Sequence, residues 1–418
     1  AATDEKLYVS NPQTHQIQVY DATTMEALGA WTVERPGQMA LDPDGRLWVV
    51  QTSGNGEPAR IVCFSATGER QPVSIKLPDA AVPGGLCFDG TSRLLVTDRG
   101  PAQQILVYTQ MQDNPTPGEP IGVHGGIFAQ PAGRFGALRF NAPRGIGCDA
   151  AGNLYVASDG SSGGGGTILE SYAPDRTLRW RLFGLEFVDM ADVDPASDAN
   201  VYTKEEHFHM DYSRAPGSEW SYAGTTLDPF RFPEDPRLHL WSAGAWVRRL
   251  AGRRFLFVTD MYAEYLQVYQ LPLDDATETA IPAGLFAGRH IKDKGTWPPG
   301  QPARGEWIWR DRNGDGAFNE TEYLTQEANA DAPTYQGWWV DDQGTVWQAT
   351  ETAGIRRFPC AGLDDHGNPV WTYETMQQFA KPPEFEQVKR LRYDPAADTM
   401  LVGGTTSEHK NQHWKPMG

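Results

Sequence analysis

The chain has 418 residues, 39% of them hydrophobic and 22% charged, with Gly 44 and Pro 31, the composition of a globular protein rich in turns. Its formal net charge of −18 repels phosphate backbones and anionic lipid surfaces, so nucleic acid is not expected as a partner. Membrane insertion is not expected either, because no run of 18 apolar residues exists. Acidity of this size suits divalent cations instead.

In chain order, Ala1-Ala2-Thr3-Asp4 carries no basic or apolar leader region and reads as a mature end left by signal cleavage or as an arbitrary boundary. Leu7–Ser10 and Gln16–Tyr20 alternate as strands. A pattern then begins that returns along the chain: a Pro/Gly opening, alternating apolar residues, an Asp, a turn and a β-rich run. It reads Pro36-Gly37-Gln38-Met39-Ala40-Leu41-Asp42 followed by Leu47-Trp48-Val49-Val50, then Pro83-Gly84-Gly85-Leu86-Cys87-Phe88-Asp89 followed by Leu94-Leu95-Val96-Thr97-Asp98. A third copy is Pro143-Arg144-Gly145-Ile146-Gly147-Cys148-Asp149 with Leu154-Tyr155-Val156-Ala157. Weaker copies lie at Met190–Asp194, Trp246–Leu250, Gly337–Asp341 and Leu391–Asp394. Further strands, such as Ile105–Tyr108 and Leu266–Tyr269, complete a meander of about four strands per unit.

The third copy, continuing through Ala150-Ala151-Gly152-Asn153 to Ala157, resembles the NHL repeat, and the first three full units carry the resemblance best. The resemblance implies a β-propeller of six to eight blades, each a four-stranded antiparallel sheet, and no particular function. Six units have their own first strand. A blade shared between residues near 7–35 and 385–418 brings the expected number to seven, within a single domain spanning residues 1–418. Both termini look like second strands, so either the ring closes irregularly or the natural chain continues past Gly418.

The strongest local motif is Asp311-Arg312-Asn313-Gly314-Asp315-Gly316-Ala317-Phe318-Asn319-Glu320-Thr321-Glu322, which resembles an EF-hand calcium loop. The resemblance implies Asp311, Asn313, Asp315, the Ala317 carbonyl, Asn319 (through a water) and Glu322 as ligands, with Gly316 at the sharp turn. The flank Gly305–Trp309 reads as a strand, so the expectation is a structural Ca2+ clamp on an insertion at about 295–330. The alternative is a polar turn that happens to fit.

Three sets of residues are candidates for a functional site. His207 and His209 fall on one side of a strand, with Tyr212 close by in sequence. A second metal there, a catalytic role without metal and a structural role all fit. Trp338-Trp339 cannot both be buried on one face of an alternating strand, so either one of them lines the channel or a groove as a ligand platform, or the pair occupies first-strand core positions and packs blade interfaces. Asp98, Arg99, Arg144, Asp260, Tyr262 and Arg390 stand at strand ends, as ligand-binding groups or as turn formers and interblade ion pairs. If the protein is an enzyme, a polysaccharide lyase or hydrolase fits, with Tyr212 or His209 as general base and Arg144 or Arg390 neutralising a substrate carboxylate. Gly160–Gly166 lacks the ending of a phosphate loop and reads as a loop tip. Cys63, Cys87, Cys148 and Cys360 have no zinc spacing and read as free thiols, with a disulfide as the alternative. Together these readings lead to an exported protein, extracellular or periplasmic, that binds or processes a glycan or small polar ligand. The alternatives are an interaction scaffold and a metal-dependent lyase, hydrolase or oxidoreductase with its site in a central channel.

Overall fold

The recurring aspartate closes the turn that follows it in the strong copies of the repeat. Asp341 Oδ1 accepts from the backbone N–H groups of Gln343 (3.0 Å) and Thr345 (2.9 Å), and its Oδ2 accepts from the Trp347 indole N–H at 3.0 Å. Asp42 does the same with Asp44, Arg46 and Trp48, and Asp149 with Ala151, Asn153 and the Tyr155 hydroxyl. One carboxylate thus closes the turn after a first strand and, in these three copies, anchors an aromatic ring six residues on; in the copy at Asp89, where Leu95 stands at that place, the second oxygen takes Arg93 Nε at 2.8 Å instead. The turn also needs a left-handed residue, supplied by Gly45 (φ +79°) and Gly344 (φ +77°).

The Pro/Gly opening also has a physical cause. Register shifts interrupt the first pairing between Pro36 and Met39, Pro83 and Leu86, Pro143 and Gly145, Tyr335 and Gly337, and Val388 and Arg390. Proline donates no ladder bond and glycine tolerates the bulge, so the three units with a Pro opening start with the same kink, which two later units share without the proline.

In this computed structural model the described residues are 1–54, 56–159, 167–184, 188–274, 276–326 and 330–410. The Gly160–Gly166 stretch lies outside them. They form an all-β protein of β-propeller type: successive antiparallel meanders, eight sheets in all among the described residues. Five have four strands, covering residues 36–76, 83–117, 143–184, 192–225 and 335–379. Residues 6–32 make a three-stranded sheet and 387–405 a two-stranded one. The remaining sheet has six strands, because Trp307–Arg310 and Tyr323–Thr325 extend the meander that begins at Gly244.

The chain divides into two compact units, Ala1–Ala129 with Phe135–Phe187, and Gln130–Arg134 with Val188–Gly418. In the first, Trp48, Val50, Ile61, Leu94 and Val96 pack neighbouring sheets face to face, and the first strands of successive sheets run side by side. In the second, an aromatic core gathers Phe255, Phe257, Phe286, Trp338, Phe358 and Trp371. Rings here meet mostly edge to face, as Phe286 does with Trp338 at 5.8 Å and with Trp371 at 5.4 Å. No helix among the described residues is long and apolar enough to cross a membrane.

Candidate functional site

Four first strands of the second unit, Asp192–Asp194, Gly244–Leu250, Tyr335–Val340 and Gln387–Asp394, border one cavity. Strand alternation decides which side chains reach it. Trp338 turns inward, 4% exposed, and its indole donates to the Ala263 carbonyl at 2.9 Å. Trp339 and Asp341 turn the other way and line the cavity, joined by Trp246 and Arg248 from one neighbouring strand and by Arg392 and Asp394 from another. Of the paired tryptophans, Trp339 is the one that lines the cavity.

The cavity holds about 760 Å³, enough for a ligand of several rings. Trp246 meets Trp339 edge to face at 6.4 Å. Arg248 is locked in place: its Nε donates to the Val340 carbonyl (2.8 Å), and its Nη1 to Asp192 Oδ2 (2.9 Å) and to its neighbour's carbonyl. Its guanidinium lies 5.0 Å from the Trp339 ring centre. Arg392 is different. It is exposed, lies 5.5 Å from the same ring, and has no hydrogen bond or ion pair among the described residues. Asp342 is almost fully open to solvent and touches a base only at 3.6 Å, from Arg248. Asp394 accepts from the Ala396 N–H at 3.0 Å, which leaves its other oxygen open. Two arginines thus face Asp192, Asp341, Asp342 and Asp394, so the wall is polar and carries an excess of negative charge.

The histidines lie two strands farther out in the sheet that begins at Asp192 and do not line this cavity. His207 is buried. Its Nδ1 lies 2.7 Å from Glu278 Oε2, its Nε2 lies 3.0 Å from Asn200 Oδ1, and its ring stacks on Tyr202 at 4.3 Å. Both ring nitrogens therefore face protein oxygens. Burial pushes the Glu278 carboxyl up, but the bond to His207 together with the charges of His207, Arg134 and His209 outweighs it and holds the group below its ordinary value. The exposed His209 sits on the same side, with ring centres 5.0 Å apart. Tyr212 is 58% exposed and donates to the Asp198 carbonyl at 2.9 Å.

The strand-end residues serve turns and ion pairs. Asp98 Oδ1 accepts from the N–H groups of Val82 and Gly100, both at 2.8 Å, and Asp260 accepts from Tyr262 (2.9 Å) and Tyr265 (3.0 Å). Burial pushes Asp260 up to about 6. Arg144 forks onto Asp159, which also lies 3.8 Å from Arg99. Tyr262 and Arg390 are exposed.

The acidic loop Asp311–Glu322 joins the two added strands as a long hairpin connection. Asp311 accepts from the N–H groups of Gly314 (2.8 Å) and Gly316 (3.0 Å), and Asp315 from Ala317 at 2.8 Å. Glu322 accepts from the Arg312 N–H (2.9 Å) and the Trp309 indole (3.0 Å), which brings the loop's last acid back beside its second residue. Asn319 caps the short turn Glu320–Glu322. Burial, with the charge of Asp315 adding to it, pushes both Asp311 and Glu322 above the ordinary carboxyl range. Among the described residues no three of His, Cys, Asp and Glu are gathered as a metal site, since these carboxylates turn toward the loop's own amides.

Of the cavity's lining residues, the sequence singled out Trp339 and not Asp192, Trp246, Arg248 or Arg392. The signal lay in the repeat register: Asp192, Trp339 and Arg392 each stand two residues before an anchor aspartate.

No protein-family model and no curated protein matches the chain. Among solved structures it is similar to the hydrazine synthase of Kuenenia stuttgartiensis, with 12% identity over 96% of this chain and 92% of that one and a TM-score of 0.32. It is also similar to BamB of Moraxella catarrhalis, with 9% identity over 97% and 92% and a TM-score of 0.29. A protein from Bacteroides caccae shows 11% identity over 93% and 98%, with a TM-score of 0.29. Likenesses this remote carry no functional argument.

Proposed function

We propose that this propeller is an exported binding protein for an uncharged, polyhydroxylated ligand of the carbohydrate class, held in the cavity beside Trp339. The supporting observation is the cavity wall itself. Aromatic rings of Trp246, Trp339 and Tyr393 stand beside polar groups with bonding capacity to spare, Arg392, Asp342 and Asp394. Planar guanidinium and carboxylate groups pair with adjacent hydroxyls, and ring faces cover the apolar side of a sugar. The excess of acid, added to a chain charge of −18, disfavours anionic sugars. This reading moves the weight from Arg144 and Arg390 to Arg392 and makes binding, not turnover by His207, His209 or Tyr212, the leading activity.

The Asp311–Glu322 loop is proposed as a structural calcium clamp of EF-hand type within NHL-like blades. Asp311, Asn313, Asp315, the Ala317 carbonyl, Asn319 and Glu322 are the ligand types such a loop needs. Buried acids that repel one another, with no ion pair to a base among the described residues, would be relieved by a cation. A clamp of this kind suits a calcium-rich compartment outside the cytoplasm.

A protein partner is the second reading, favoured by Trp241, Met261 and Tyr262. All three are exposed, on segments held side by side by the bond from Ala243 N–H to the Thr259 carbonyl. Calorimetric titration of a panel of neutral oligosaccharides onto wild type, Trp339→Ala and Arg392→Ala tests the first reading. Binding that both variants weaken supports it, and binding indifferent to both removes the cavity from the account.

A further inference from the structure

Two of the four thiols lie together. Cys87 is the next-to-last residue of Pro83–Phe88 and Cys148 the last of Pro143–Cys148, the first strands of consecutive sheets in the first unit. Their Sγ atoms are 3.9 Å apart, and both side chains are half-buried, within reach of a small reagent. The approach is built into the backbone. A Cβ at Gly85 would lie 2.8 Å from the Arg144 carbonyl oxygen and 3.0 Å from the Ile146 nitrogen, and one at Gly84 would lie 2.9 Å from the same oxygen. Side chains at these positions would force the strands apart, so the glycines hold the two thiols in contact.

We propose that Cys87 and Cys148 form a redox-modification site, a dithiol that a small-molecule disulfide oxidises to an intrachain bond joining two neighbouring sheets. The chemistry is thiol–disulfide exchange. The Cys148 thiolate attacks one sulfur of the organic disulfide, forming a mixed disulfide and releasing one thiolate. The Cys87 thiol gives up its proton, and its sulfur attacks Cys148 Sγ, closing the protein disulfide and releasing the second thiolate. The protein is oxidised by two electrons and the organic disulfide is reduced to two thiols.

The order of attack follows from the surroundings. The hydrogen bond from Cys87 stabilises the Cys148 thiolate and, with Arg176 and Arg93 nearby, holds that thiol below its ordinary value. The same bond and burial push Cys87 well up. Cys148 is therefore the attacking sulfur and Cys87 the resolving one. Cys63 is fully buried and pushed up to about 11, which leaves it out of the reaction.

The test treats the full chain with glutathione disulfide, quenches with an alkylating agent and maps the peptides by mass spectrometry. The expected result is a peptide pair joined through Cys87 and Cys148 and lighter by two hydrogen atoms. Reactive thiols in the unfolded chain should fall from four to two. In Cys87→Ser the glutathione adduct should accumulate on Cys148, and Cys148→Ser should react far more slowly. Because the wild-type map needs no variant to fold, it decides alone. Separate alkylation of Cys87 and Cys148 after oxidation, or pairing of either with Cys63 or Cys360, overturns the proposal.

Discussion

Replacing Asp341 by Ala tests the physical account of the repeat. The carboxylate is 2% exposed and accepts from two backbone amides and from the Trp347 indole. Its loss opens the turn and leaves a buried indole N–H without a partner. Charge-assisted bonds of this kind are worth about 1.5–3 kcal/mol each and do not add, so a cost of about 3 kcal/mol is expected. That corresponds to a fall of roughly 6–12 °C in Tm for a unit of this size. Asp394 occupies the equivalent place in the last sheet but is exposed and accepts only from Ala396, so Asp394→Ala should cost less than about 1 kcal/mol. Scanning calorimetry and urea unfolding of the two variants give the comparison. Equal losses, or a loss at Asp341 below about 0.5 kcal/mol, would show that the aspartate marks the repeat without holding it.

Three further outcomes are expected. Elemental analysis should find one calcium in the wild-type protein and none in Asp315→Ala, and calcium at one hundred times its Kd should stabilise the wild type by about 2.7 kcal/mol. Gly316→Ala should destroy the same loop, because φ is +70° there and a Cβ would sit 2.6 Å from the Phe232 ring; retained calcium in that variant would contradict the loop geometry. Stability should also respond to pH in opposite senses at two aspartates. Asp260, pushed up by burial to about 6 from 3.8, holds its proton longer in the folded state, so stability falls as pH rises through that window, by an amount on the order of 2–3 kcal/mol. Asp260→Asn should flatten that limb. Burial also pushes Asp194 up, but bonds from Arg249, the Ala196 N–H and Arg254 outweigh it and hold the group at about 2, so its contribution is lost as pH falls from 3.8 toward 2. Urea midpoints from pH 2 to 8 for wild type and Asp260→Asn measure both.

Much of the fold was legible because the repeat writes local chemistry into the chain. Asp42, Asp89, Asp149 and Asp341 could be placed from sequence since each closes a turn with its own neighbours, a contact within six residues. The sheets at the two ends were harder. With no Pro/Gly opening before Leu7 and a short run at Met400, spacing could not show that residues 6–32 make three strands and 387–405 two. The site was less legible still. Trp339 stood out because two adjacent tryptophans must part on a strand. Arg392 did not, because its place two residues before an anchor aspartate gains meaning only from Trp339, which holds the same place on a different sheet. The pairing of Cys87 with Cys148 was hidden for the same reason, since it joins strands 61 residues apart.

Uncharged sugars are the proposed occupants of the Trp339 cavity. The most direct measurement compares an oligouronate with its methyl ester, identical rings with and without charge, by calorimetric titration onto the wild-type protein. The neutral ester should bind about tenfold tighter or more, the discrimination expected from one like charge at a partly exposed wall. Binding of the ester should also weaken in Arg392→Ala. Tighter binding of the charged form, or an Arg392→Ala variant that binds the ester as well as wild type does, would contradict that proposal.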